Sequence, residues 1–327
     1  HLLVPYAETV GLDEYDLPPR ARLARMKSPP ETDAAFLVRR MEALRMTDVT
    51  RETFYQELAV PMRLHPGPGS PARTRARYES SPVVYRETPP TRRRPVLPAE
   101  INQRPLRVTD LPPREGRKIV DLAREAMVTR ARDLDVFAYG DGDDVRLVEC
   151  GDGLQFAVFC AIPERRLLLE SVYGFITLKN GVPIGYVLIS ALFGSSEIAF
   201  NVFETYRGAE AAHVYGRVLA TVRHLFKVDA FTIYPYQLGH HNEEGLRSGA
   251  WWFYQKLGFR PRDPEIVALM ERELAAMERD RSHRSSLATL RKLSAENVYL
   301  YLGKTRDDII GLLGLGNIGL NVTRHLA

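Results

Sequence analysis

Asn201-Val202-Phe203-Glu204-Thr205-Tyr206-Arg207-Gly208-Ala209-Glu210-Ala211-Ala212 is the stretch where the chain changes its hydrophobic period. Ahead of it, Ser196 to Phe203 is rich in Ile, Val and Phe, which predicts a buried strand. Beyond it, apolar residues fall at Ala211, Val214, Tyr215, Val218, Leu219, Val222, Leu225 and Phe226, three and four apart. That spacing predicts a helix of about four turns with one apolar face. A glycine at such a turn lets the backbone come close to a ligand, and the first N–H groups of the helix point at whatever sits there. An anion is the natural guest, with the guanidinium fork of Arg207 beside it.

Working outward, Ala230 to Tyr236 reads as the next strand, and Ala250-Trp251-Trp252-Phe253-Tyr254-Gln255-Lys256-Leu257-Gly258-Phe259 closes the block as a helix with a glycine stop. In order and spacing the two stretches resemble the GNAT N-acetyltransferase superfamily, over about residues 106–262. The first family signature, Val-x-Pro-x-x-Arg/Gln-Gly-x-Gly-x-Gly/Ala, is met at Val202, Tyr206, Arg207, Gly208 and Ala212. Glu204 stands where Pro is usual, and Glu210 replaces the central Gly. The second signature, Ala-x-x-x-Tyr-x-Lys-x-Gly-Phe, is intact at Ala250, Tyr254, Lys256, Gly258 and Phe259.

The resemblance implies an α/β (α+β) fold: a mixed, mostly antiparallel twisted sheet flanked by helices. It also implies N-acyl transfer by direct attack of an amine, from a small molecule or a protein, on acetyl-CoA, another acyl-CoA or an acyl-carrier-protein thioester. Val202, Phe203, Arg207, Gly208, Ala209, Ala211 and Ala212 would then hold the cofactor, and Arg247 stands where the family usually carries Asn, seven residues before the tyrosine. Tyr254 is the implied proton donor to the departing thiolate. Such chemistry also needs a base, and Glu197 and Glu204 are the acids nearest in sequence to the end of the fourth strand. There the backbone near Asn201 to Phe203 is expected to splay and supply an oxyanion donor. A carboxylate at Glu210 repels a pyrophosphate unless it turns outward. It favours the alternative of a catalytically inactive GNAT-like binding or scaffold module, whose basic arm meets an acidic partner.

The length of 327 residues suits one large domain with extensions, or two domains. Hydrophobic content of 45% and charged content of 26% predict a soluble globular protein. No apolar run reaches the ~18–20 residues of a membrane helix, and a cytoplasmic location is the default. His1 and the ending at Ala327 read as trimmed termini. Cys150 and Cys160 give neither a disulfide framework nor a metal spacing. The adjacent His240 and His241 are expected to point apart, and no metal is predicted.

Net charge is +4, unevenly spread: eleven arginines and twelve of the 22 prolines lie between Pro61 and Arg114. Residues 61–105 therefore read as a Pro/Arg-rich linker draped over the surface. An arm for nucleic acid is the weaker reading, because only Tyr78 and Tyr85 interleave with the arginines.

Residues 1–60 read as a helical segment, with Thr32 capping a helix to about Met46 and a second helix from Arg51 to Leu58. Residues 106–303 read as the GNAT-like domain. It opens with a strand at Leu106 to Thr109 and a helix from Glu115 through Arg132, and Gly140 to Asp144 reads as a turn. Hairpins follow at Val145–Glu149/Leu154–Ile162 and, around Asn180-Gly181, at Tyr173–Leu178/Ile184–Leu192. A charged helix is inserted at Pro264 to Arg279, and a late strand lies at Asn297 to Leu302. Residues 304–327 read as a helical extension, with a helix over Asp307 to Leu313. Its Gly314-Leu315-Gly316-Asn317-Ile318-Gly319 matches the dinucleotide fingerprint only in form, because no strand precedes it.

Overall fold

The computed structural model of the chain describes residues 19–58, 76–85, 95–130, 135–166, 169–208, 210–314 and 318–327. It divides into two units, His1–His65 and Pro66–Ala327. Among its described residues the first carries three helices: α1 (Pro19–Met26), α2 (Asp33–Glu42) and α3 (Asp48–Glu57). Thr32 caps α2 by accepting the Ala35 N–H, as its sequence predicts, but the helix stops at Glu42. Thr47 caps α3 in the same way through Thr50, so this helix starts three residues before the expected Arg51.

The second unit is a mixed α/β structure. Its elements begin with α4 (Leu97–Asn102), β1 (Arg107–Asp110), α5 (Pro113–Val128), α6 (Asp135–Ala138), β2 (Gly140–Gly151), β3 (Leu154–Ala161), β4 (Ser171–Lys179), β5 (Val182–Leu192) and β6 (Ser195–Val202). They continue with α7 (Ala211–Phe226), β7 (Ala230–Ile233), α8 (Pro235–Leu238), α9 (Glu243–Ser248), α10 (Ala250–Lys256), β8 (Arg260–Pro261), α11 (Pro264–Arg279), α12 (Leu287–Leu293), β9 (Val298–Tyr301) and α13 (Ile318–Leu326). The strands form one nine-stranded sheet in the order β1-β2-β3-β4-β5-β6-β7-β9-β8. Every pairing is antiparallel except β6 with β7.

Three tight turns hold the antiparallel run together. Asn180 and Gly181 have φ of 52° and 79°, Asp152 and Gly153 have 50° and 71°, and Phe193 and Gly194 have 48° and 68°. Two successive positive φ values give the turn whose twist matches that of paired strands. Alternation along the strands then builds a core on each face. Phe156, Phe175, Val187 and Ile198 meet Tyr215, Val218, Leu219 and Val222 of α7. On the other face Phe159, Ile176 and Leu178 meet Ile119, Val120, Ala123 and Met127 of α5.

Three expectations need correction. Gly140 to Asp144 is the start of β2, not a turn. The glycines serve close packing there: a Cβ on Gly140 would lie 2.8 Å from Phe159, and one on Gly116 of α5 would lie 2.0 Å from the Gly142 carbonyl oxygen.

Parts of the Pro/Arg-rich stretch are structural rather than draped. The Tyr78 N–H donates to the Gly181 carbonyl at 2.9 Å, and Ser81 Oγ donates to Gln155 Oε1 at 2.5 Å. Leu97 and Ile101 of α4 are buried in the α7-side core. The rest of that stretch, 61–75 and 86–94, lies outside the described residues.

Asp307 to Leu313 is not helical. Ile309 and Ile310 are buried, the Ile310 N–H donates to Ser195 Oγ, and Thr232 Oγ1 donates to the Ile310 carbonyl, so this segment clasps the ends of β6 and β7. Of the glycine-rich tail, residues 315–317 lie outside the described residues. Among the described residues no helix is long and apolar enough to cross a membrane.

Candidate functional site

The one parallel pairing is also the shortest in the centre of the sheet. β6 and β7 pair only over Ser195–Glu197 with Ala230–Thr232. Past that point β6 stays with β5 as far as Val202 opposite Gly185, whereas β7 ends at Ile233 and Pro235 opens α8. A gap opens in the middle of a sheet that is otherwise continuous. The Phe203 N–H donates back to Ile184 at 2.9 Å. By the alternation of an antiparallel strand, the N–H groups of Val202 and Phe200 therefore turn toward the gap. β6 thus parts from β7 past Glu197 while keeping its register with β5.

A cavity of about 420 Å³ fills the gap, lined among others by Asn201, Val202, Arg207, Ala211, Phe253 and Tyr254. Tyr254 is 3% exposed, and its ring packs edge-on to Tyr215 and Phe259, with centroids at 5.5 and 5.8 Å. Burial pushes its phenol well above the ordinary tyrosine value, so it keeps its proton. The next phenol inward, Tyr215, is fully buried, and its hydroxyl has no hydrogen-bond partner among the described residues. At the mouth, the first helical bond of α7 runs from the Val214 N–H to the Glu210 carbonyl, and the Ala211 N–H ahead of it donates to the Gly208 carbonyl at 3.2 Å.

Arg207 is at the cavity but is not a free fork: its guanidinium is paired with Glu244 of α9, and its Nε donates to the Val202 carbonyl at 3.2 Å. A Cβ on Gly208 would meet nothing within 4 Å, so the approach to the turn is open. Ala209 lies outside the described residues. Phe203 is 2% exposed and packs in the α5-side core under Arg130, whose guanidinium lies 4.1 Å from the ring centre. Its side chain therefore cannot reach the cavity. Ala212 packs against the α7-side core. Arg247 does not line the cavity: it projects from α9, largely exposed, toward Glu243 at 3.4 Å.

Glu197 is the last residue of β6 to pair with β7, on the face opposite α7, and it lines neither this cavity nor the next. Burial pushes its carboxyl up to about 7, with a hydrogen bond from Ser190 opposing and the charge of Glu170 adding. Tyr234, just past the end of β7, is raised to about 12 by burial and then by Glu197. Glu204 is exposed in the short turn Glu204–Tyr206 and lines neither this cavity nor the next.

That second cavity, about 410 Å³, lies on the other side of Val202 and Ala211 and carries Glu210, Lys179, His213 and Arg217. The Glu210 carboxylate therefore lines the chamber without Tyr254. Arg217 is held there by Gln103 and by the Cys150 carbonyl.

Two functional candidates were not visible in the sequence. Asn201 carries a buried carboxamide oxygen with no partner among the described residues, and Glu244 meets Arg207 across the cavity from a separate helix. The rings of His240 and His241 do not point apart but touch, with centroids 4.1 Å apart. Among the described residues no group of three or more His, Cys, Asp and Glu could hold a metal. Cys150 and Cys160 are free and buried, and burial raises the Cys150 thiol to about 11. No family model matches the chain, and no curated protein matches it in sequence.

Proposed function

We propose that the Pro66–Ala327 unit is a GNAT-like N-acyltransferase, taking an acyl group from a CoA or carrier-protein thioester to an amine. The observation that carries this reading is the gap between β6 and β7, with a phenol at its wall and inward-turned amides along one edge. A thioester arm is a narrow, extended chain of amides, and a parted pair of parallel strands offers it both width and hydrogen-bond partners. The amine nitrogen attacks the thioester carbonyl, the C–N bond forms and the C–S bond breaks. The Val202 or Phe200 N–H stabilises the transient oxyanion. Tyr254, kept protonated by burial, gives its proton to the leaving sulfur. Glu197, with a carboxyl near 7, has the proton affinity suited to accept the amine's proton.

A second reading, a binding module without catalysis, is favoured by the engagement of Arg207 with Glu244. The experiment that separates them is a thermal-shift titration with acetyl-CoA and longer acyl-CoAs, followed by mass spectrometry of an amine panel. A ligand that binds only the folded chain raises its stability. Stabilisation with acylated product supports the transferase; stabilisation without product supports the module; no shift at millimolar thioester removes the enzyme reading.

A further inference from the structure

Among the described residues that line the cavity holding Tyr254, Arg207 is the one cation and Glu244 the one carboxylate, and the two are bound to each other. They come from opposite walls, Arg207 from the segment between β6 and α7 and Glu244 from α9.

The position of α9 does not depend on that contact. Leu246 is buried in the core, Asn242 Oδ1 caps the Gly245 N–H at 3.0 Å, and Glu243 is turned away to Arg291 at 3.0 Å. The paired side chains are half exposed, at 41% for Arg207 and 51% for Glu244. An ion pair so exposed contributes little to stability and exchanges readily. Glu244 thus occupies the guanidinium that an anionic ligand in this cavity would use. If the ligand takes Arg207, the freed carboxylate is left beside the ligand's own negative charge.

Resting on the acyltransferase reading, we propose that Glu244 is a specificity-determining residue. It acts as an internal anion that competes for Arg207 and biases the site toward thioester arms of low phosphate charge over the multiply charged coenzyme. The bias is electrostatic, so it scales with ligand charge and vanishes for an uncharged arm.

Isothermal titration of the wild-type chain and Glu244→Gln with acetyl-pantetheine, dephospho-CoA and CoA tests this. The variant is expected to bind CoA about fivefold more tightly, the equivalent of an exposed pair's upper worth. The gain should be smaller for dephospho-CoA and absent for acetyl-pantetheine. It should also disappear in Arg207→Gln/Glu244→Gln, because the competition needs its object. An equal change for all three ligands, or a gain that survives loss of Arg207, overturns the proposal.

Inorganic pyrophosphate separates this idea from the function it rests on. Tighter pyrophosphate binding by Glu244→Gln, with no acyl transfer to any amine, keeps the competition and removes the transferase. Acyl transfer by the wild type, with pyrophosphate and CoA affinities unchanged in the variant, keeps the transferase and removes the competition.

Discussion

Tyr254 is buried and Glu197 partly buried, and loss of solvent moves both pKa values upward with different consequences. For Tyr254 a raised value means a phenol that keeps its proton, as the proposed transfer requires of the donor to the leaving sulfur. Replacing it by Phe preserves the edge-on packing against Tyr215 and Phe259. Tyr254→Phe is therefore expected to melt within a few degrees of wild type and to lose acyl transfer by about 10²-fold, the low end for a general acid. A melting scan beside a thiol-release assay checks this. For Glu197 the shift becomes a pH dependence of stability. Its folded value of about 7 lies above the ordinary 4.5, so between those two values the folded chain binds more protons than the unfolded one. Its contribution is favourable below pH 4.5 and is lost as pH climbs through 7. Glu197→Gln should therefore be more stable than wild type at pH 8 and near equal at pH 4, read from urea midpoints. Tyr254 was legible because its neighbours fall in a fixed pattern along one helix. Glu244 and Asn201 were not, because their roles come from a partner across the cavity and from an unpaired oxygen, and neither leaves a local spacing.

At the scale of elements, hydrophobic period located most of the unit, including β4 to β6, α7 and α11, whose observed bounds match the expected Pro264 to Arg279. It failed where a local signal has two meanings. The glycines of Gly140 to Asp144 mark turn-forming freedom in most chains, whereas here they mark a strand pressed against a helix. The apolar residues of Asp307 to Leu313 have helical spacing, but Gly311 sits at φ of 94° and the flanking backbone is held by Ser195 and Thr232. Two glycine substitutions separate packing from access. Gly116→Ala places a methyl 2.0 Å from the backbone oxygen of Gly142, which can yield only by shifting α5 from β2. A loss of about 2 kcal/mol or more is expected in chemical denaturation, in the range of overpacked cores. Gly208→Ala meets nothing within 4 Å. Its stability should stay within ~0.5 kcal/mol of wild type, and any effect should be confined to ligand affinity at the turn.

At the scale of the whole molecule, the three clusters of the core are built from residues of the Pro66–Ala327 unit alone. Those clusters reach back into the stretch that composition marked as linker. Tyr78 belongs to the α5-side core, and Leu97 and Ile101 to the α7-side core. Proline and arginine density describes the average of a segment, whereas three apolar anchors suffice to fix where it lies. Two truncations distinguish a linker from a structural strap. A chain of residues 66–327 retains every cluster and is expected to unfold cooperatively. A chain of residues 104–327 loses the three anchors, and at about 1.5–3 kcal/mol for each buried apolar side chain it should be less stable by about 4 kcal/mol or more. Gly216 explains part of that cost: a Cβ there would sit 3.2 Å from Glu100, so α4 rests directly on α7 and its removal bares the helix that borders the cavity. Urea midpoints of the two chains, measured with and without a thioester ligand, give the result. Equal midpoints would return residues 76–85 and 95–102 to the status of a surface linker. A large drop accompanied by loss of ligand stabilisation would show that this strap supports the helix on which the site is built.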